Sequence, residues 1–121
     1  VTVEPLSSKW LEYEDFADAD TFGDYIAYQM TENGAPAASG TALFCAPKHF
    51  RFADPQLALR VEGDEIVVTA AAYARSVQIL NADDTLKLSD NFFDMNAGET
   101  RVRILSGQPS GLRVRSVYDI R

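Results

Sequence analysis

Turn signals recur about every ten residues through most of this chain and cut it into short runs that suit strands better than helices. Tyr25–Thr31 and Thr41–Cys45 flank Glu32-Asn33-Gly34, where asparagine and glycine accept the positive φ of a tight hairpin turn. Leu57–Glu62 and Glu65–Ala71 flank Gly63-Asp64. Arg75–Leu80 closes at Asn81-Ala82-Asp83-Asp84, and Thr85–Leu88 is short. Thr100–Leu105 and Leu112–Tyr118 read as a last pair joined by Ser106–Gly111. Apolar and polar residues alternate within these runs, so each strand buries one face. The series predicts an all-β, antiparallel sandwich.

Two stretches break the rhythm. Ala46–Pro55 carries a proline near each end and is too irregular for a central strand, so it reads as an extended connector. Thr69–Arg75 holds four alanines, which favour helix by propensity. The β-branched flanks Ile66-Val67-Val68 and Val77-Gln78-Ile79 argue instead for strands bending there. Nothing regular is expected over residues 7–22.

With 121 residues, 46% of them apolar, the chain can bury a core without a disulfide or metal. Cys45 is the only cysteine, which excludes an internal disulfide and favours a cytoplasmic setting, as does the absence of a leader. No apolar run approaches the ~18 residues of a membrane span, so no membrane partner is expected. The chain starts at Val1 in what reads as running sequence, as a segment of a longer protein would. Its net charge of −7 resides in residues 1–34, where eight acids face only Lys9, while the remainder holds ten of each sign. Without a basic patch, nucleic acid is not an expected partner.

Few groupings suggest chemistry. Asp90 and Asp94 flank Phe92-Phe93 in Ser89–Thr100, and a carboxylate pair is what glycoside hydrolysis needs. Aspartates beside a turn more often bond their own backbone. Asp18–Asp24 has part of a calcium-loop pattern, but Phe22 and Gln29 replace two ligands. Cys45 and His49 have no further His or Cys to complete a zinc site. No catalytic residue, metal site or cofactor is therefore expected. Trp10, Tyr13, Phe16 and Phe22 cluster among acids, where rings either anchor an irregular segment or stack on a sugar. Trp10, Tyr13, Phe92 and Phe93 are the candidate ligand-binding residues. In the last two runs arginines alternate with β-branched residues, which is expected to place Arg101, Arg103, Arg113 and Arg115 on one outer face, either solvated or docked on an acidic surface.

Asp90-Asn91-Phe92-Phe93-Asp94, with Gly98-Glu99 after it, resembles the C-terminal immunoglobulin-like domain of β-mannosidases in glycoside hydrolase family 2. Ala46–Phe50 is similar to that family's Pro-Lys-His connector, Asp54-Pro55 to its Pro-Asp-Pro segment, and Ala72–Arg75 to its strand break. The likeness covers residues 44–121. Residues 24–45 look like the closing hairpin of a preceding sandwich domain. Met95-Asn96-Ala97 departs from the family's Leu-Leu-Pro, which implies a less rigid turn.

The resemblance implies an immunoglobulin-like sandwich over 44–121 after an acidic segment and hairpin over 1–43. It also implies a non-catalytic role, because the family's catalytic glutamates lie on a separate barrel with no counterpart here. The expected partners are the other domains of a parent glycosidase or a second subunit. The alternative is a carbohydrate-binding module that presents exposed aromatics to mannosides.

Overall fold

The computed structural model describes residues 1–120. Tyr25–Glu32 (β1) and Ala35–Leu43 (β2) pair as an antiparallel hairpin. Asn33 and Gly34 at its tip have φ of 51° and 80°, as the Asn-Gly signal requires. A 3-10 turn at Pro47–His49 opens the connector. Seven strands follow: Ala58–Glu62 (β3), Glu65–Ala70 (β4), Ala74–Leu80 (β5), Lys87–Leu88 (β6), Phe93–Met95 (β7), Gly98–Ser106 (β8) and Arg113–Arg115 (β9). A short helix, Val117–Ile120 (α1), comes last.

The strands form two antiparallel sheets, β3-β4-β8-β6 and β7-β5-β9. The all-β sandwich read from the sequence is the fold of the chain. Alternation builds its core. Ile66, Val68, Ala70 and Val102 from the first sheet meet Ala74, Val77, Ile79 and Met95 from the second. Ile66, Val68, Val77 and Val102 are fully buried, each contributing about 1.5–3 kcal/mol by removal from water.

The alanine-rich stretch is the crossing between the sheets. β4 ends at Ala70, Ala71 donates its N–H to the Pro55 carbonyl (2.7 Å), and β5 begins at Ala74 in the opposite layer. A bulge between Ala74 and Val77 leaves Ser76 at φ 51°. Three details differ from the sequence reading. Phe93–Met95 is a strand on β5 rather than only a corner. The chain after Ser116 coils into α1 rather than extending β9. The last two runs do not pair: β8 lies between β4 and β6, whereas β9 lies on β5 in the other sheet.

A second apolar centre ties the hairpin to the sandwich. Phe50, Phe52 and Tyr73 are buried there, with Tyr25, Leu43, Cys45, Val117 and Tyr118 packed around them. Tyr25 stacks on Tyr73 with ring centroids 3.9 Å apart and planes 15° apart. Beyond this seat the hairpin is exposed along most of both strands.

Candidate functional site

The Ser89–Thr100 corner resolves into three jobs. Asn91 grips β5 like a strand residue: its side-chain amide donates to the Ile79 carbonyl (3.0 Å), and its oxygen accepts the Ile79 N–H (2.8 Å) and the Phe92 N–H (3.0 Å). Phe92 follows at φ 57° with its ring turned out, 62% exposed. Phe93 turns in and packs against the sandwich core. The pair therefore does split between faces, and Phe93 is the one that closes the core.

The two aspartates differ as well. Asp90 accepts the N–H of Asn91 (2.8 Å) and braces its own turn, as the sequence suggests. Asp94 does not brace its turn. It accepts the Ser76 N–H at the bulge (2.9 Å) and the Thr41 hydroxyl of β2, and lies 3.5 Å from the Arg75 guanidinium. Thr41 also shares a 2.9 Å hydrogen bond with the Tyr73 hydroxyl. Tyr25 adds a 2.5 Å bond to the Asn96 side-chain oxygen. Asp94 is thus a polar bolt joining β2, β5 and β7. Burial, and then the neighbouring Tyr73, raise the pKa of the Tyr25 phenol above its ordinary value.

Between the corner and the hairpin lies an open cleft of about 770 Å³. Phe92 and Phe93 line it, together with Tyr28 and Gly40 of the hairpin. Trp10 and Tyr13 do not. They stand 96% and 92% exposed on the irregular N-terminal segment, with no ring contact to each other among the described residues. The four candidate ligand-binding aromatics therefore do not form one platform. Of the N-terminal rings, Phe16 reaches a partner, Phe44, at 5.9 Å between centroids. Tyr28 was invisible as a candidate; the one sequence signal was glycine at the cross-strand position 40.

The acidic N-terminal loop closes on itself. Asp20 accepts the Phe22 N–H (3.1 Å) and pairs with Arg51, while Asp24 accepts the Asp20 N–H (2.9 Å). Among the described residues no group of three or more His, Cys, Asp or Glu is arranged to hold a metal ion. Cys45 is half-buried beside the aromatic cluster, and His49 is exposed on the 3-10 turn.

The four arginines do not share a face, because β8 and β9 belong to different sheets. Arg101 and Arg103 project from the outside of the first sheet. There Arg101 and Arg60 flank Val67 in register, and Val67 is fully buried although it points away from the core. The two aliphatic stems cover it while their guanidinium groups reach for acids. Arg60 bonds Glu62 (2.8 Å) and Glu99 (3.1 Å), and Arg101 bonds Glu62 (2.8 Å). On the second sheet Arg115 donates to Gln78 (2.8 Å). Arg103 and Arg113 have no carboxylate partner among the described residues.

Hydrogen bonds from Arg60 and Arg101 hold the Glu62 carboxyl below its ordinary 4.5. A depressed carboxylate stabilises the fold above its unfolded-state pKa, and that contribution disappears as pH falls through the folded-state value. Acid unfolding followed by circular dichroism should therefore steepen below about pH 4.5. Glu62→Gln should flatten that segment of the curve, and an unchanged slope would show that the exposed lattice contributes nothing.

A search of curated proteins finds no match to the chain. The family model Ig_mannosidase, described as an Ig-fold domain, matches residues 52–120. The match begins at Phe52 in the aromatic seat, ends with α1, and takes in every strand of both sandwich sheets. An immunoglobulin fold is a non-catalytic type of domain, consistent with two corner aspartates committed to backbone and cross-links rather than to a shared substrate. With a match over more than half its length and the layered strands it calls for, the chain belongs to the Ig_mannosidase family of Ig-fold domains.

Proposed function

We propose that this chain is a non-catalytic accessory domain of a β-mannosidase-like glycoside hydrolase and stabilises that enzyme by packing against neighbouring domains or a second subunit. In this reading residues 1–43 end a preceding sandwich domain and residues 44–121 form the accessory sandwich. One observation carries it: the β1–β2 hairpin is moored at its base and bare beyond it. A two-stranded hairpin is marginal in water without a covered face. Among the described residues, ten of the fourteen exposed large apolar side chains lie in the first thirty positions, Leu11 and Met30 among them. Such a concentration marks a contact surface.

The test compares contexts. Met30→Asp should be nearly neutral in the 121-residue chain, where Met30 is already exposed, but should lower the melting temperature of the intact enzyme by several degrees. Equal effects in both would overturn the packing role. Arg113, like Arg103, has no carboxylate partner among the described residues and is open to an acidic neighbour. Arg113→Glu should weaken assembly of the intact enzyme at low salt, and the difference should fade at about 0.5 M salt as charges are screened. Unchanged assembly at low salt would remove Arg113 from the interface.

A further inference from the structure

We propose that the cleft between the β1–β2 hairpin and the Ser89–Thr100 corner is a binding site for a neutral oligosaccharide, with Tyr28 and Phe92 as its stacking rings. The proposal goes beyond the packing role and uses different surfaces from the candidates Trp10 and Tyr13. Both rings line the cleft, and both are more than half exposed, at 58% and 62%. Each is held there by an identifiable device. Tyr28 pairs with Gly40, and a Cβ at position 40 would fall 2.3 Å from the tyrosine oxygen, so the ring lies across β2 in space that only glycine leaves. Phe92 is turned out by the positive φ that follows the Asn91 clamp on β5.

Around the rings stand groups suited to hydroxyls: Gln29 and Ser39 from the hairpin, Asp90 and Asn96 from the corner. Aromatic faces beside planar amide and carboxylate acceptors fit a pyranose, which has an apolar C–H face and a rim of hydroxyl donors. The carboxylates of the lining repel phosphorylated or otherwise anionic ligands. At about 770 Å³ the cleft has room for more than one sugar ring. The walls come from two parts of the fold, and the Thr41–Asp94 bond between two of the lining residues ties them together before a ligand arrives.

The test is an NMR titration of the 121-residue chain with β-1,4-linked mannotetraose and cellotetraose, following the Tyr28 and Phe92 ring signals. Using the chain by itself separates the result from the packing role, which concerns the intact enzyme. The expected result is saturable shifts with a dissociation constant of about 1 mM. Phe92→Ala should weaken binding at least tenfold, and so should Gly40→Val, which evicts the Tyr28 ring without removing it. Trp10→Ala should leave binding unchanged. Failure of both sugars to saturate at about 50 mM, some fiftyfold above the expected constant, overturns the proposal. So does binding that survives both variants while their circular dichroism remains native. Saturable binding of oligolysine in place of either sugar would overturn it too, showing an acidic site for cations.

Discussion

Tyr73→Ala is expected to release the hairpin and cost the chain about 3–5 kcal/mol, the range for truncating a buried aromatic. Tyr73 is the residue on which the mooring converges. It stacks on Tyr25, sits 6.0 Å from Phe50 and 6.1 Å from Phe52 between centroids, and shares a hydrogen bond with Thr41. Urea unfolding would read the total loss. Amide exchange would show where it falls: protection should collapse across β1 and β2 while Ile66, Val68 and Val102 remain slow. Tyr73→Phe separates ring from hydroxyl and should cost only about 1–2 kcal/mol, for the bond with Thr41 and the long one from Arg75. Equal exchange in all strands of Tyr73→Ala would mean that hairpin and sandwich unfold as one unit.

Asp94→Ala should cost about 2–4 kcal/mol, far more than its half-exposed neighbourhood suggests. The substitution strands the Ser76 N–H at a bulge and leaves the partly buried Arg75 without its carboxylate. It also removes one of the hairpin's polar links, the Thr41–Asp94 bond, while the Thr41–Tyr73 and Tyr25–Asn96 bonds and the aromatic seat remain. Asp94→Asn retains the shape and part of the bonding and should fall between. Asp90→Ala, which loses one local bond, should stay within about 1 kcal/mol. Chemical denaturation of the three variants would check the ranking. If Asp90 and Asp94 proved equally sensitive, the corner would be a local turn and the bolt would carry no weight.

These two residues also show what a linear sequence reveals. Hairpins were legible wherever the turn was local, as at Asn33-Gly34 and Gly63, because φ preferences act over a few residues. The strand pattern Arg101-Val102-Arg103 was right within its strand: Val102 is buried and both arginines point out. The joint face with Arg113 and Arg115 was wrong because sheet membership is set by long-range pairing. Alternation looks the same whichever layer a strand joins. Strand β7 escaped notice for a related reason. It is three residues long, and part of its hold on β5 runs through the Asn91 side chain rather than a backbone ladder. The sequence required one of Phe92 and Phe93 to face out but could not choose, since the choice follows from that clamp. Asp94 resembled a turn aspartate until Thr41 and Ser76, distant in sequence, were brought to it.

The mooring of the hairpin has a consequence for the order in which the chain is made. An Asn-Gly hairpin closes in microseconds, long before a ribosome adds the next residue. Its seat is gathered from Phe50, Phe52, Tyr73, Asp94 and finally Val117 and Tyr118. During synthesis β1 and β2 therefore open and close as an unattached, marginal ribbon while some seventy further residues emerge. The hairpin gains its attachment to the sandwich only after the sandwich closes, so a ribosome stalled before Tyr118 would hold a hairpin with an unfinished anchorage.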